Sequence, residues 1–297
     1  FIITSLVYFV LIMEKVQTGQ VIEFYSNRCL VKTDFGEFAC IAIKNVVVGD
    51  YVELEIIQDS KKLLGKILKI NKRASVLSRQ DGNKEKLFAA NITHVGLLVA
   101  PKPKTTNEFI DKWILNARLS KIEPFILNNK IDFNSNNEYK RRLDIYKNID
   151  IKIINCSAKH GNNLEELVNY IKGKCVVFVG NSGAGKSTLT SKIIGKELRT
   201  NELSNDQGVH TTSISSLYEL SNNIKIIDSP GMRDIDLIKS SKDKIIKGFS
   251  EILKSSKDCK FNNCNHINND GCNVIKDLLD GVIDKSRYNN FIKFRDS

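Results

Sequence analysis

A glycine-rich segment of the sequence has the residue types and spacing of a phosphate-binding loop. Residues 180–187 read GNSGAGKS and match the pattern G-x-x-x-x-G-K-[ST]. In such a loop the glycines let backbone N–H groups point at phosphate oxygens, Lys186 reaches the β- and γ-phosphates, and the Ser187 hydroxyl binds Mg²⁺. The residues of the predicted phosphate site are Gly180, Asn181, Ser182, Gly183, Ala184, Gly185, Lys186, Ser187 and Thr188.

A second motif, DSPG at residues 228–231, lies downstream of the phosphate loop. Asp228 follows an apolar run typical of a buried strand, so its carboxylate is expected at the end of that strand. There it can orient Mg²⁺ through a water molecule, and the Gly231 N–H can contact the γ-phosphate. A D-x-P-G motif alone is weak, but together with the phosphate loop it predicts Mg²⁺-dependent nucleotide binding.

Two further motifs indicate which base the nucleotide carries. Residues 129–132 read NKID (Asn129, Lys130, Ile131, Asp132), and they match N-K-x-D, in which the carboxylate accepts hydrogen bonds from the guanine ring N–H and exocyclic amine. Adenine lacks that pair of donors, so the motif argues against an ATPase. Residues 156–159 read CSAK, and Ser157 and Ala158 are interpreted as a segment whose backbone contacts guanine O6; the alternative is an ordinary connecting loop.

Three cysteines and a histidine near the C-terminus have the types and spacing of metal ligands. They are Cys259, Cys264, His266 and Cys272. A Cys₃His set is typical of a closed, tetrahedral, structural Zn²⁺ site, and a segment this polar needs a metal to fold. We predict one zinc per chain. A disulfide or free thiols are the alternatives, and a catalytic zinc is disfavoured because four protein ligands leave no place for water.

The elements that position these motifs follow from the apolar pattern. Buried runs alternate with helical stretches from residue 91 onward, which predicts a parallel α/β sheet with the phosphate loop between a strand and a helix. The predicted strands are 94–100, 123–128, 151–156, 175–180, 213–220 and 224–228. The predicted helices are 109–120, 138–147, 164–171, 188–194, 242–254, 274–279 and 286–294.

Five short alternating runs precede this region, at residues 19–24, 28–33, 36–41, 51–56 and 65–70. Their spacing and Gly/Asp turns predict a small OB-like β-barrel, a fold that commonly binds nucleic acid; the alternative is a barrel that only packs on its neighbour. We predict a barrel at 13–75, a nucleotide-binding domain at 76–235 and a helical zinc domain at 236–297. Met13 is interpreted as the functional start, and residues 1–12 as a leader or an artefactual extension.

Composition limits the class of protein. The chain has 297 residues, 41% hydrophobic and 27% charged, which indicates a globular protein. The net charge of +11 predicts a polyanionic partner. A C-terminal helix would contact phosphates of that partner through Lys285, Arg287, Lys293 and Arg295; a codon bias toward lysine is the alternative explanation of the charge.

Four of the seven cysteines stand singly in strand-like runs, which favours a reducing compartment. The apolar run 1–12 is too short to span a membrane.

The order of the motifs is unusual for a GTP-binding domain. N-K-I-D and S-A-K precede the phosphate loop, whereas a conventional domain begins with that loop, so the domain is predicted to be circularly permuted. With a barrel before it and a Cys₃His segment after it, the chain resembles the ribosome small-subunit-dependent GTPase A (RsgA) family. The resemblance extends to GDYVE at 49–53, LSR at 77–79 and GVHTT at 208–212.

The resemblance implies an α/β fold and several functional properties. It implies GTP hydrolysis stimulated by the 30S ribosomal subunit during late maturation, contacts with 16S-type rRNA, and a cytoplasmic monomer that binds GTP and GDP and no membrane. His210 would position the attacking water, since Met232 stands where Ras-like proteins carry glutamine; Thr211 or Thr212 would reach Mg²⁺. Val209 departs from the basic residue usual in the family. The alternative is an RNA-binding module that uses GTP only as a conformational clamp.

Overall fold

The computed structural model describes residues 16–57, 63–81, 84–133, 137–195, 214–228, 240–267 and 269–297. The strands of this part are β1 (Val16–Tyr25), β2 (Arg28–Thr33), β3 (Gly36–Ile41), β4 (Tyr51–Ile57), β5 (Leu64–Ile70), β6 (Val76–Asp81), β7 (Lys84–Ala90), β8 (His94–Val99), β9 (Glu123–Asn128), β10 (Ile153–Asn155), β11 (Cys175–Gly180), β12 (Ser215–Leu220) and β13 (Ile224–Asp228). The α-helices are α1 (Asn107–Leu119), α2 (Asn137–Lys147), α3 (Leu164–Ile171), α4 (Lys186–Ile194), α5 (Lys242–Ile245), α6 (Ser250–Ser256), α7 (Asn273–Leu279) and α8 (Lys285–Asp296).

The first five strands form a closed barrel, which confirms the OB-like prediction. Strand β1 pairs with both β2 and β4, β2 pairs with β3, and the ring closes through the parallel β3–β5 pair and the β4–β5 pair. Alternate side chains fill the interior, among them Val31, Phe38 and Leu54. Gly65 is needed at the inner wall, because a Cβ there would lie 2.7 Å from Leu54 Cδ1.

A mainly parallel sheet follows, in the order β10-β9-β8-β11-β13-β12. Only β12 runs antiparallel to its neighbour β13. Helices α1 and α2 pack on one face through Ile110, Trp113 and Tyr146, and α3 and α4 pack on the other through Leu167 and Leu189. The predicted α/β class is confirmed, because buried strands alternate with helices that cover both faces.

Strand β1 also pairs with β12, so the barrel and the parallel sheet are hydrogen-bonded into one sheet of eleven strands. A hairpin of β6 and β7, which the sequence did not predict, lies beside this junction and contacts the barrel through a bridge between Val48 and Ala89. The adjacent turn requires glycine: Gly49 has φ +89°, and a Cβ there would lie 2.3 Å from Ala90 O.

The predicted domain boundaries at residues 75 and 235 remain predictions, and residues 1–12 lie outside the part that the structure describes. No helix of the described part is long and apolar enough to cross a membrane.

The single helix predicted over 242–254 is wrong. The chain forms α5, a 3₁₀ turn at Ile246–Gly248 and then α6, with Phe249 between them at φ −125° and ψ 77°. The helix is interrupted at residues 246–249 because of how these residues pack against α1 and α8. Gly248 lies against α1, where a Cβ would be 2.8 Å from Leu115 Cβ, and Phe249 is fully buried against Phe291.

The prediction that Arg287 contacts phosphate is also wrong, because its side chain is completely buried. It lies 2.8 Å from Asp111 Oδ1 on α1 and 2.8 Å from Glu251 Oε1 on α6, and the guanidinium stacks over the Phe249 ring. Burial lowers the pKa of Arg287, but the two carboxylates raise it by more, so the side chain stays charged. Arg287 therefore joins α8 to α1 and α6.

The other three cations predicted to contact phosphate differ in exposure. Arg295 is largely buried and donates a hydrogen bond to the Asn265 carbonyl. Lys293 is exposed and paired with Glu108, and Lys285 is exposed at the start of α8. Only the two lysines can therefore meet a partner without local rearrangement.

Replacing Arg287 tests whether its ion pairs hold the C-terminal helices to α1. We expect Arg287→Met to lower the free energy of unfolding by about 3–5 kcal/mol, because it leaves the buried Asp111 carboxylate and the mostly buried Glu251 carboxylate without their cation. Lys293→Met, which breaks the exposed pair with Glu108, should cost about 1 kcal/mol or less. Urea denaturation followed by circular dichroism measures both; equal, small effects would contradict the prediction.

Candidate functional site

The predicted nucleotide-binding segments meet at one edge of the sheet. Strands β8, β9, β10, β11 and β13 are parallel, so the loops that follow their carboxyl ends lie together. The phosphate loop follows β11, N-K-I-D follows β9, S-A-K follows β10, and Asp228 ends β13.

The phosphate loop adopts a backbone conformation that favours glycine at two positions. Gly183 has φ +75° and Gly185 has φ +103°, both in the left-handed region. Lys186 begins α4, and its Nζ donates to the carbonyls of Gly180 and Asn181, at 2.5 and 3.1 Å. Ser187 and Thr188 follow in the exposed first turn, where helix N–H groups and the helix dipole favour an anion.

Two residues of N-K-I-D hold the phosphate loop. Asn129 is buried, and its Nδ2 donates to Ala184 O at 2.8 Å while its Oδ1 accepts from Ala158 N at 2.9 Å. Lys130 Nζ donates to Gly183 O at 2.7 Å. These side chains therefore connect the base-binding segments to the phosphate loop.

Asp132 is oriented by its neighbours. Ser157 Oγ donates to Asp132 Oδ1 at 2.6 Å, and this hydrogen bond lowers the pKa of the carboxyl. The other oxygen, Oδ2, lies 3.7 Å from His160 Nε2. Ile131 is partly exposed beside it. Oδ1 keeps a second lone pair beside the Ser157 hydrogen bond, so both carboxylate oxygens can accept from a further donor.

The backbone N–H of Ala158, which the sequence predicts to contact guanine O6, has a partner within the protein. Its N–H already donates to Asn129 Oδ1, so a contact from this N–H to guanine O6 has to share that donor. The contact between the 157–158 segment and guanine stays a prediction.

Asp228 lies at the exposed end of β13. Surrounding protein partly desolvates the carboxyl and raises its pKa, whereas the Lys186 charge lowers it, which places the two groups within electrostatic reach. The Ser187 hydroxyl and the Asp228 carboxylate are oxygen ligands of the kind that Mg²⁺ prefers, and the Lys186 ammonium suits phosphate. His210, Thr211, Thr212, Val209, Gly231 and Met232 lie outside the described residues.

The four predicted metal ligands come together. Their ligand atoms all lie within 4.8 Å of one another. The Nδ1 of His266 is 3.7 Å from the sulfurs of both Cys259 and Cys272, and those sulfurs are 4.0 Å apart. Tetrahedral zinc with thiolate bonds of about 2.3 Å separates two sulfurs by about 3.8 Å, so Cys259, His266 and Cys272 have the spacing of zinc ligands and Cys264 lies near enough to be the fourth.

The ionisation of the ligands agrees with this fit. Burial and the Arg295 charge lower the pKa of His266, so the imidazole is neutral and able to bind a cation. Burial and the neighbouring thiols raise the pKa of Cys272 to about 11. Only a bound cation makes several thiolates favourable so close together. All seven cysteines are free of disulfides, which excludes the disulfide alternative in this structure.

Part of the site has no signature in the sequence. Lys130 Nζ also donates to Lys102 O at 2.9 Å, and Asn181 Nδ2 donates to Lys104 O at 3.3 Å, so residues 102–104 brace the phosphate loop. These contacts use backbone carbonyls, which leave no signal in residue type. His160, beside Asp132, directly follows the S-A-K segment, and this adjacency is the sequence signal that could have indicated it.

Comparisons with known proteins agree with this geometry. The sequence model of the RsgA GTPase family matches residues 70–238. A curated protein of Flavobacterium psychrophilum, named small ribosomal subunit biogenesis GTPase RsgA, is 34% identical over 280 residues, covering 90% of this chain and 85% of that protein. The chain belongs to the RsgA GTPase family. A relative of the same name from Chlorobaculum parvum is 32% identical over 264 residues, covering 85% of each chain.

Family membership makes this chain a GTP-hydrolysing enzyme, and solved structures support the fold. YjeQ from Thermotoga maritima matches with a TM-score of 0.73 and 26% identity, covering 94% of this chain and 97% of that one. YloQ, described as a circularly permuted GTPase, matches with a TM-score of 0.71 and 21% identity over 94% of each chain. The predicted permuted arrangement is thereby confirmed.

Proposed function

We propose that this RsgA-family GTPase acts in the biogenesis of the small ribosomal subunit, and that the 30S particle stimulates its GTP hydrolysis. The proposal rests on the activity for which the relatives are named and on one observation in the structure. Ser157 orients the Asp132 carboxylate at the sheet edge that also carries the phosphate loop, so one nucleotide can reach both. This arrangement favours guanine as the base.

In this proposal each residue of the nucleotide site has a distinct role. Lys186 and the loop N–H groups bind the β- and γ-phosphates, and Asp132 reads the guanine edge. Asn129 and Lys130 position the phosphate loop. Ser187 and Asp228 would hold Mg²⁺, which supplies positive charge to the phosphates when it is bound. Gly231 and one of Thr211 and Thr212 are assigned to the γ-phosphate and Mg²⁺ from their motifs.

His210 is proposed to position the attacking water. Met232 cannot do so, because a thioether is a poor hydrogen-bond partner for water. The departure at Val209 removes a cation beside His210. The clamp without hydrolysis is disfavoured because the family is one of GTPases. Absence of GTP turnover both with and without 30S particles would favour the clamp.

The partner in this proposal is the 30S subunit and its 16S-type rRNA, which would place the protein in the cytoplasm. We propose that it acts there as a monomer. The net charge of +11 supports a polyanionic partner. The direct test is GTP turnover with and without 30S particles. Turnover that 30S particles do not raise would contradict the proposed partner.

Asp132→Asn tests the nucleotide choice. We expect GTP affinity to fall roughly 10- to 100-fold, because charge-assisted hydrogen bonds to the base are lost, and affinity for xanthosine triphosphate to rise. Xanthine presents a carbonyl to the new amide donor where guanine has an amine. Ser157→Ala is the matched control: it removes only the orienting hydroxyl, so GTP binding should weaken without a gain for xanthosine triphosphate. Unchanged GTP binding in Asp132→Asn would refute the assignment.

His210→Ala should separate catalysis from binding. A group that positions water acts in the transition state, so we expect 30S-stimulated kcat to fall roughly 100-fold or more while GTP affinity is retained. Lys186→Ala should instead lose nucleotide affinity, since the loop then lacks its charge. Binding to 30S with a non-hydrolysable GTP analogue must stay normal as the control. Normal stimulated turnover by His210→Ala would show that another group holds the water.

The Cys₃His cluster is proposed to hold one structural zinc per chain. Elemental analysis of protein purified without added metal should find one zinc, and Cys264→Ser should lose it and loosen the C-terminal helices while nucleotide binding survives. Cys29→Ala, which removes a buried thiol of the barrel, should keep the zinc. A Cys264→Ser protein that retains a full equivalent of zinc would be inconsistent with this site.

A further inference from the structure

His160 lies beside the carboxylate that is proposed to read guanine, and none of the motifs described above includes it. Its Nε2 atom is 3.7 Å from Asp132 Oδ2, and the two side chains are 52% and 23% exposed. Residue 160 directly follows the S-A-K segment at 157–159. An imidazole therefore adjoins the base-binding side chain from a position outside both base-binding motifs.

The turn that carries His160 is closed by three hydrogen bonds. Ser157 N donates to Asn162 O at 3.1 Å, and Gly161 N donates to Ser157 O at 2.7 Å. The backbone N–H of His160 donates to Ser157 Oγ at 3.4 Å. Ser157 is completely buried, so the turn is anchored at its start and keeps the backbone of His160 at a fixed place relative to Asp132.

Two protein groups thus approach the two oxygens of the Asp132 carboxylate. The Ser157 hydroxyl accepts from the His160 N–H and donates to Oδ1 at 2.6 Å. The imidazole ring lies on the side of Oδ2. The Ser157 hydrogen bond lowers the pKa of the Asp132 carboxyl most, and the positive charges of His160 and Lys159 lower it further, so the carboxyl group stays ionised.

The imidazole can become a hydrogen-bond donor to Oδ2. A separation of 3.7 Å is longer than a hydrogen bond, but the ring is half exposed and free to turn. Hydrogen bonds at functional sites often shorten when the ligand binds. Nε2 carries a proton in the imidazolium and in one of the two neutral tautomers, so donation does not require a charged ring. A donor on each oxygen fixes the plane of the carboxylate and leaves a lone pair on each oxygen for the base.

The plane of this carboxylate matters because guanine offers it two donors. The ring N–H and the exocyclic amine of guanine need both oxygens in the plane of the purine. Hypoxanthine lacks the amine, and either oxygen can accept its single ring N–H. With Ser157 as the one support, the carboxylate turns about Oδ1 and carries Oδ2 out of the plane. Loss of the second support therefore weakens guanine binding more than hypoxanthine binding.

We propose that His160 is a positioning residue that holds Asp132 Oδ2 and thereby makes the site selective for the exocyclic amine of guanine. The inference deepens the proposed function and rests on it, because it requires Asp132 to bind the base. In this arrangement His160 acts through Asp132 and does not itself contact the nucleotide. Ser157 and His160 together support one carboxylate from both sides.

The test compares the affinities of the full chain for GDP and inosine diphosphate, measured by competition with a fluorescent guanine nucleotide. His160→Ala should bind GDP about fivefold more weakly and inosine diphosphate within about twofold of wild type, the size expected for one exposed ionic hydrogen bond. His160→Gln should restore the wild-type preference for GDP, because its amide nitrogen donates from nearly the position of Nε2. Asn162→Ala is the matched control: it removes another exposed side chain of the same turn and should leave both affinities unchanged.

A double-mutant cycle separates action through Asp132 from direct contact with the nucleotide. In an Asp132→Ala background, His160→Ala should change GDP affinity less than about twofold, because the group that it positions is gone. A further fivefold loss in that background would show that His160 contacts the nucleotide directly and would overturn the proposal. Equal losses for GDP and inosine diphosphate in His160→Ala, or no rescue by His160→Gln, would also overturn it.

The single variant Asp132→Ala distinguishes failure of this inference from failure of the proposed guanine site. If Asp132→Ala weakens GDP binding while His160→Ala leaves it unchanged, only the role given to His160 is wrong. If Asp132→Ala itself leaves GDP binding unchanged, Asp132 does not read guanine, and the role of His160 is refuted with it.

Discussion

The side-chain amide of Asn129 is the interaction on which the nucleotide site depends. In the sheet, β8 separates β9 from β11, so the base-binding and phosphate-binding segments do not follow neighbouring strands. Asn129 spans that gap with one hydrogen bond to Ala184 and another from Ala158. The approach is possible because residue 185 is glycine: a Cβ there would lie 2.3 Å from Asn129 Nδ2. The separation between base and phosphate sites is therefore set by a buried amide and a missing side chain.

The circular permutation leaves this arrangement intact for a physical reason. Strand pairing in a parallel sheet depends on which backbones lie side by side, and the loops gather at one edge whatever the order in which the chain reaches them. Here the base-binding strands β9 and β10 precede the phosphate-loop strand β11 along the chain. In the sheet, however, β11 lies in the middle, between β8 and β13. What permutation changes is which elements are joined covalently to the site, and it makes the C-terminal helices the continuation of β13.

The parts that could be predicted from sequence are those controlled by local pattern. Apolar runs predicted β9, α3, β11 and β13 with their observed bounds. The spacing of three cysteines and a histidine predicted the metal-ligand cluster, and the structure brings these four residues together. Failures arose where tertiary packing decides. A helical pattern cannot show that Gly248 must fit against Leu115, and a lysine- and arginine-rich helix cannot show which cation turns inward. Arg287 looked like its exposed neighbours in sequence, and only the carboxylates of Asp111 and Glu251, distant along the chain, distinguish it.

Strand β1 pairs with both β4 and β12, and these pairings limit how the sheet can pair with another copy of the chain. An open sheet presents two edge strands whose unpaired N–H and C=O groups can recruit another chain. In the eleven-stranded sheet one end closes on itself, since β4 pairs with β1, and β1 also pairs with the first two residues of β12. The other end is β10, which is three residues long. The terminal strand β10 is thus too brief a template for intermolecular strand addition, and closure of the barrel removes the edge at the opposite end, so neither end of the described sheet favours polymerisation.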